Sequence, residues 1–291
     1  MQLRLKALAE RGYVPDGPSF ASHSGDRIAF PMITRSGARV VAKLYPTSAD
    51  ADAVFANMQE LWRSSFGARR RPPGLPEPID CLPEQRVVVM QRLDGEPLAD
   101  SRVDDLPAFD AAVRLIASLH ASDANPERRR DARKIVRSVR RKLGDVGRID
   151  GGVARELSPV AERLEATAPT DSELVPCHGD LVPANVLIRR RGFALLDFDR
   201  FQAADPLRDL SYLGGWYCLR ALRAEGRPDW AMLRRAIAVY SRERPLEVGD
   251  GRLGFHTAAG LMRLAHGRLP RDPEFAAVVP RLAREAIAVL S

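Results

Sequence analysis

Two short apolar runs, Val186-Leu187-Ile188 and Phe193-Ala194-Leu195-Leu196, are joined by Arg190-Arg191-Gly192 late in the chain. Their β-branched and aromatic content around a glycine turn predicts a hairpin of strands over 186–190 and 193–197. The hairpin interrupts a sequence that reads as helical on both sides, so the chain does not fold as a simple helical bundle. Polar residues mark its outer ends. Asp180 precedes the first strand in Cys177-His178-Gly179-Asp180, Asn185 stands at the start of that strand, and Asp197-Phe198-Asp199 closes the second.

An aspartate, an asparagine five residues on and a second aspartate twelve beyond that are parts needed to move a phosphoryl group from a metal-bound nucleotide. One carboxylate orients the attacking hydroxyl and accepts its proton, while an amide oxygen and the other carboxylate hold the metal. Asp180 is the candidate base. Asn185 and Asp197 are candidate ligands for Mg²⁺, which prefers hard oxygen donors. His178 is assigned to shaping the loop by hydrogen bonding. Taken singly, each of these residues is common in the turns that flank a hairpin; it is the ordered set that points to chemistry.

Lysine usage adds a fourth residue. The chain has 45 lysines and arginines, yet only Lys6, Lys43, Lys134 and Lys142 are lysine. A sequence that writes arginine so freely suggests, where it keeps lysine inside a strand, a place that a planar guanidinium does not suit. Lys43 lies in Ala38-Arg39-Val40-Val41-Ala42-Lys43-Leu44-Tyr45, which alternates like a strand and suits a phosphate-pairing lysine. A strand-edge lysine reaching for solvent is the plainer alternative.

Around these residues the chain divides in two. Strands are expected over 19–23, 27–35 and 39–45, with turns at Ser24-Gly25-Asp26 and Ser36-Gly37. A helix follows from Thr47-Ser48 to about residue 65, with Val54, Met58, Leu61 and Trp62 on one face. A fourth strand over 86–90 runs into Gln91-Arg92-Leu93-Asp94-Gly95, a glycine-containing connector suited to a hinge. Backbone groups of Met90, Gln91 and Leu93, free of a ladder partner, are candidates for an adenine edge. Helices are then expected over 106–122, 131–143, 153–166, 210–225, 230–242, 253–266 and 273–290. The domain reading is a nucleotide-binding lobe over 1–90, a hinge at 91–95 and a helical lobe over 96–291. The second lobe carries the catalytic loop 178–185, the metal motif 197–199 and acceptor-binding helices after residue 210. The fold class is α+β, with a small β-rich N-terminal lobe and a larger, mainly helical C-terminal lobe.

Composition narrows the partners. No apolar run approaches the roughly 20 residues that a membrane span requires. The opening residues, Met1-Gln2-Leu3-Arg4-Leu5-Lys6, lack a signal-peptide core, and three scattered cysteines make no disulfide framework. A reduced cytoplasmic protein is expected. The net charge of +7 centres on the arginine-rich run 128–142. That run could meet nucleic-acid phosphates, but Ile135, Val139 and Leu143 recur at helical spacing and no aromatic interleaving accompanies them. A solvated helix face is the preferred reading, and nucleic acid is not expected as a partner.

The pattern His178-Gly179-Asp180 with Asn185, then Leu195-Leu196-Asp197-Phe198-Asp199, Asp205-Pro206 and Asp209-Leu210, resembles the aminoglycoside phosphotransferase and choline kinase family, which is protein-kinase-like in fold. The resemblance is strong over 178–210 and weaker before residue 38. It implies an ATP-dependent kinase, with GTP also admissible, that uses Mg²⁺ and phosphorylates a hydroxyl of a small molecule. It also implies that Lys43 meets the nucleotide and that an acid on the first long helix pairs with it. Glu60 is preferred there over Asp50 and Asp52. For Asp199 two roles stand open, support of the metal site or stabilisation of the loop. Asp209 is expected to cap the following helix or brace the catalytic loop. Members act on aminoglycosides, other antibiotics, choline, homoserine or sugars, and antibiotic resistance is among the roles implied; fold does not choose among them. From residue 211 to 291 there are 13 arginines against eight acids, a balance of +5, which favours a neutral or anionic acceptor over a polycationic one. Rival readings are a metal-dependent phosphohydrolase and a catalytically inactive binding module.

Overall fold

The computed structural model describes residues 2–21, 28–101, 105–171 and 173–291, in two compact units. The first comprises Met1–Pro97, Ser122–Asn125 and Leu187–Asp199; the second comprises Leu98–Ala121, Pro126–Val186 and Arg200–Ser291. The hairpin assigned by sequence to the second lobe thus groups by its contacts with the first unit, up to and including Asp199. Of the expected early strand over 19–23 and its turn, residues 22–27 lie outside the described residues.

The first unit opens with a helix the sequence reading did not anticipate, α1 (Gln2–Glu10), and the short strands β1 (Tyr13–Pro15) and β2 (Phe20–Ala21). Strands β3 (Ile28–Thr34) and β4 (Arg39–Leu44) follow, then α2 (Ser48–Arg63), β5 (Pro78–Leu82) and β6 (Val87–Gln91). These strands form an antiparallel sheet in the order β1-β3-β4-β6-β5, with β2 beside β3. Period-two alternation sorts β4. Val40, Ala42 and Leu44 join Met32, Val87, Val89, Leu8, Tyr13 and Leu82 in a buried apolar cluster, so Lys43 belongs to the opposite face. Helix α2 is capped by Thr47, whose hydroxyl oxygen accepts the Asp50 N–H at 3.0 Å. Its Ala51, Val54, Met58 and Leu61 are buried at three- and four-residue spacing.

Strand β7 (Glu96–Pro97) pairs with β10 (Val186–Ile188), which pairs in turn with β11 (Phe193–Leu195). The second unit is built from α3 (Leu98–Ser101), α4 (Leu106–His120), α5 (Ala132–Ile149) and α6 (Gly151–Ala166), then α7 (Leu207–Glu225), α8 (Ala231–Glu243), α9 (Asp250–Arg268) and α10 (Val279–Ala288). A short sheet inside it, unseen in the sequence, sets β12 (Gln202–Ala204) parallel to β8 (Arg129–Arg130) and antiparallel to β9 (Val175–Cys177). Helix α9 is the centre of the helical core, with Phe255, Ala258, Ala259, Leu261, Met262, Leu264 and Ala265 all buried. Helix α5 is amphipathic as expected: Ile135, Val136, Val139 and Val146 face the core, while Arg133, Arg137, Arg140 and Arg141 are exposed. Among the described residues, no helix is long and apolar enough to cross a membrane.

Candidate active site

In the first unit, the face of β4 turned away from the apolar cluster presents Lys43 to the end of the hairpin. The Lys43 Nζ donates to Asp197 Oδ1 at 2.9 Å and to Asp199 Oδ2 at 2.7 Å. Tyr45 lies two residues along the same strand direction, and its hydroxyl donates to Asp199 Oδ1 at 2.8 Å. Burial works against the Lys43 charge, but Asp197 and Asp199 outweigh it and raise its pKa above the ordinary lysine value. The two carboxylates differ in setting. The Asp199 side chain is 3% exposed and that of Asp197 is 30% exposed, so water and ions reach Asp197 more readily. Asp197 has φ 64°, a left-handed backbone that a non-glycine residue adopts at some cost.

Glu60 is not the partner of Lys43. Its Oε1 accepts the Asn125 N–H at 3.0 Å, tying α2 to the segment 122–125. The rival acids are also occupied elsewhere. Asp50 accepts the Thr47 hydroxyl at 2.7 Å, and Asp52 accepts the Cys81 thiol at 3.8 Å. The physical reason is local: the left-handed turn at Asp197 delivers two carboxylates to a single ammonium, which needs no third acid.

The expected base-binding backbone also needs correction. Met90 lies inside β6, paired with Val41 on one side and Pro78 on the other, and the Gln91 N–H donates to the Glu77 carbonyl at 2.8 Å. Strand β5, which the sequence reading lacked, supplies that outer partner. Leu93, beyond the strand, makes no backbone hydrogen bond among the described residues.

In the second unit, β9 leads straight into the loop His178-Gly179-Asp180. Asp209, in the first turn of α7, is buried beneath that loop and accepts the N–H groups of His178 at 2.7 Å and Gly179 at 2.9 Å. It also lies 3.3 Å from His120 Nε2, and His120 Nδ1 is 2.9 Å from the Tyr240 hydroxyl. Burial opposes the Asp209 charge, yet the hydrogen bonds and the nearby histidines hold its carboxyl below the usual range. The buried His178 takes the Asp180 N–H on Nδ1 at 3.2 Å. Gly179 has φ +76°, and a Cβ there would lie 2.2 Å from the Arg200 carbonyl oxygen, so the loop requires glycine.

Asp180 itself is 29% exposed, and its carboxylate is held by side chains rather than by backbone amides. Arg263 donates to Asp180 Oδ1 at 2.5 Å and also to the Gly179 carbonyl, while Arg200 Nε lies 3.3 Å from Asp180 Oδ2. Asn185 gives its side-chain N–H to the Asp180 carbonyl at 2.9 Å, which leaves its amide oxygen as the atom suited to a cation. The Asn185 amide oxygen in this unit and the Asp197 carboxylate of the first unit are each a hard oxygen donor of the kind Mg²⁺ prefers. Asp205 buttresses the start of α7 by accepting the Leu207 N–H at 2.9 Å and Arg252 Nε at 2.5 Å.

Sequence reasoning missed Arg200, Arg263, Tyr45 and His120. Two of them had a signal. Tyr45 shares the period-two face of Lys43, and Arg263 is a lone charge inside the apolar stretch Leu261-Met262-Arg263-Leu264-Ala265.

Comparison with known proteins gives the family and the fold. The model of the family described as "Phosphotransferase enzyme family" matches residues 29–246. A crystal structure of an aminoglycoside-3'-phosphotransferase of type VIII is similar at 24% identity and TM-score 0.60, covering 88% of this chain and 97% of that one. A choline/ethanolamine kinase family protein from Mesorhizobium loti is similar at 19% identity and TM-score 0.65, covering 100% and 94%. A spectinomycin phosphotransferase in complex with ADP and spectinomycin is similar at 13% identity and TM-score 0.61, covering 99% and 98%. No curated protein sequence matches the chain. With a family match over most of its length and a kinase-like α+β fold, the chain belongs to the phosphotransferase enzyme family.

Proposed function

We propose that this phosphotransferase is an ATP-dependent kinase that transfers the γ-phosphoryl group to a hydroxyl of a small molecule, with GTP admissible in place of ATP. The observation that carries the reading is the Lys43 ammonium held at 2.9 Å on Asp197, between residues 154 positions apart in sequence. That pairing supplies a fixed positive charge for nucleotide phosphates beside a carboxylate suited to their metal. The ADP in the spectinomycin phosphotransferase complex supports nucleotide use.

In this reading Asp180 orients the acceptor hydroxyl and takes its proton as the new O–P bond forms. The bond from the γ-phosphorus to its bridging oxygen breaks, and the electron pair leaves with ADP. Asn185 and Asp197 would hold Mg²⁺, whose charge would offset that of the phosphates. Lys43 neutralises phosphate charge from the strand side, with Asp199 and Tyr45 fixing its position. Asp209 keeps the loop amides in register so that Asp180 is presented in one conformation. The three cysteines are unpaired, with Cys177 and Cys218 buried, which suits a reducing cytoplasm.

The test uses ADP release against a broad panel of alcohols. Turnover should require an acceptor and stop when magnesium is chelated, and Asp197→Ala should abolish it with the circular-dichroism spectrum retained. Acceptor-independent phosphate release would support a phosphohydrolase instead. Undiminished turnover by Asp197→Ala would refute the metal assignment.

A further inference from the structure

The second unit concentrates positive charge around Asp180 far beyond what that carboxylate needs. Arg263, on the apolar α9, has a side chain only 12% exposed and stacks 4.3 Å over the Tyr212 ring while binding Asp180. Arg200 approaches the other carboxylate oxygen. Arg130 extends from β8 to donate to Gln202 Oε1 at 3.2 Å, and Arg128, Arg141 and Lys142 stand close enough to feel the same field. Burial and then the neighbouring arginines push the Lys142 amine down to about 8 and the Arg130 guanidinium down to about 10. The Arg263–Asp180 pair and the Arg130–Gln202 hydrogen bond set two of these cations beside the catalytic loop.

Two further observations bear on what this region would bind. Among the described residues, the half-buried Lys142 side chain has no hydrogen-bond or ion-pair partner, and the side chains of Arg128 and Arg141, likewise unpaired, are exposed. The Gln202 side-chain Nε2 and the Arg208 Nε are buried with nothing to accept their N–H groups, although Gln202 is 1% exposed. Gln202 Nε2 lies against the catalytic loop, 2.7 Å from where a Cβ of Gly179 would stand. Unsatisfied buried donors are costly, so a fold retains them where a ligand completes them. The acids in this field are Asp180, already shared by two arginines, Asp209, already taken by backbone amides and His120, and Asp145, already shared by His266 and Arg148.

We infer that the acceptor is an anionic hydroxyl compound, whose phosphate or carboxylate group is held by Arg130, Lys142 and Arg263 within reach of the Asp180 base. The inference rests on the kinase reading above. It carries a role for Arg263, which would hold the acceptor anion beside the Asp180 carboxylate that it already meets. A polycationic aminoglycoside would meet repulsion at the same place.

The experiment uses the full chain. Inorganic phosphate and acetate, as separate arms for the two anion classes, are titrated calorimetrically into the wild type, Lys142→Met and Arg130→Met. Arg128→Gln, at an exposed position, is a second variant that does not challenge folding. ADP release is then measured with sugar phosphates and hydroxy acids, neutral sugars, and amino alcohols with aminoglycosides. Turnover is expected with the anionic class, inhibited by the better-binding simple anion in competition with acceptor. Each buried variant should raise acceptor KM on the order of tenfold to hundredfold, as for loss of one charge-assisted hydrogen bond, with nucleotide KM within about twofold. Turnover confined to neutral or cationic alcohols overturns the inference and leaves the kinase reading standing. Simple anions that compete with ATP rather than acceptor, or bind the variants equally well, also overturn it. Absence of turnover with every alcohol, with nucleotide still bound, refutes the kinase reading itself.

Discussion

Replacing Lys43 with methionine keeps most of the side-chain volume and removes the charge that Asp199 and Asp197 share. The Asp199 side chain is 3% exposed, so water cannot take over from the ammonium. Breaking a buried ion pair by removing one partner costs about 3–5 kcal/mol. Asp197 is 30% exposed and can be rehydrated, so its share falls toward the surface-pair value of below about 1 kcal/mol. The added apolar contacts of methionine offset part of the loss, and about 3 kcal/mol remains. For a chain of this size that lowers Tm by about 6–12 °C. The informative measurement is the double variant. In the Lys43→Met background, Asp199→Asn removes a buried charge that has lost its ammonium while leaving an oxygen for the Tyr45 hydroxyl, and should recover on the order of 1–2 kcal/mol. Thermal and urea unfolding of the four proteins, without nucleotide and with magnesium chelated, close the cycle. A double variant no more stable than Lys43→Met alone would refute the account. The pH dependence provides a second check. Because the folded pKa of Lys43 is raised, its contribution is fully present below the unfolded lysine value near 10.5 and is lost only as pH rises through the higher folded value.

Asp180→Asn keeps the shape and the contact to Arg263 but cannot take a proton, so kcat should fall about 10²–10⁴-fold with nucleotide affinity nearly unchanged; a smaller loss in single-turnover measurements would remove Asp180 from the base role. Gly179→Ala combines a φ of +76° with a Cβ 2.2 Å from the Arg200 carbonyl, and should lower both Tm and kcat, with intact secondary structure by circular dichroism. Asp205 and Asp209 have depressed carboxyl pKa values in the fold, so their stabilisation is present above the unfolded aspartate value near 3.8 and lost as pH falls through the folded ones. Urea midpoints between pH 2.5 and 5 should therefore decline in the wild type and flatten in Asp209→Asn; parallel slopes would contradict this.

Most strands and helices were legible because each carries its own period. Strand β4 alternates, α2 and α4 repeat their apolar residues every three to four positions, and the hairpin of β10 and β11 is announced by its glycine turn. The small sheet of β8, β9 and β12 was not legible, since its strands span two or three residues and exist only through partners far away in sequence. The same limit governed the site. Asp180, Asn185 and Asp197 stand in a fixed local spacing that sequence displays. The partner of Lys43 was misassigned because ion pairing depends on which carboxylate the folded backbone delivers, and the left-handed turn at Asp197 leaves no mark in composition. Arg263 and Arg200 are everyday residues in an arginine-rich chain, and only their distance to one carboxylate distinguishes them.

The hydrogen bonds that converge on Asp209 have a consequence for how the protein becomes competent. Residues 120, 178, 179, 209 and 240 come from four well-separated stretches of chain, and all must be in place before the loop amides find their acceptor. Such long-range closure comes late in folding, because every intervening loop must be ordered first. A nascent or partly refolded chain can therefore hold native helices and still present Asp180 on a wandering loop. Regain of turnover should lag behind regain of helical signal during refolding, which makes activity a reporter of the last docking event rather than of secondary structure.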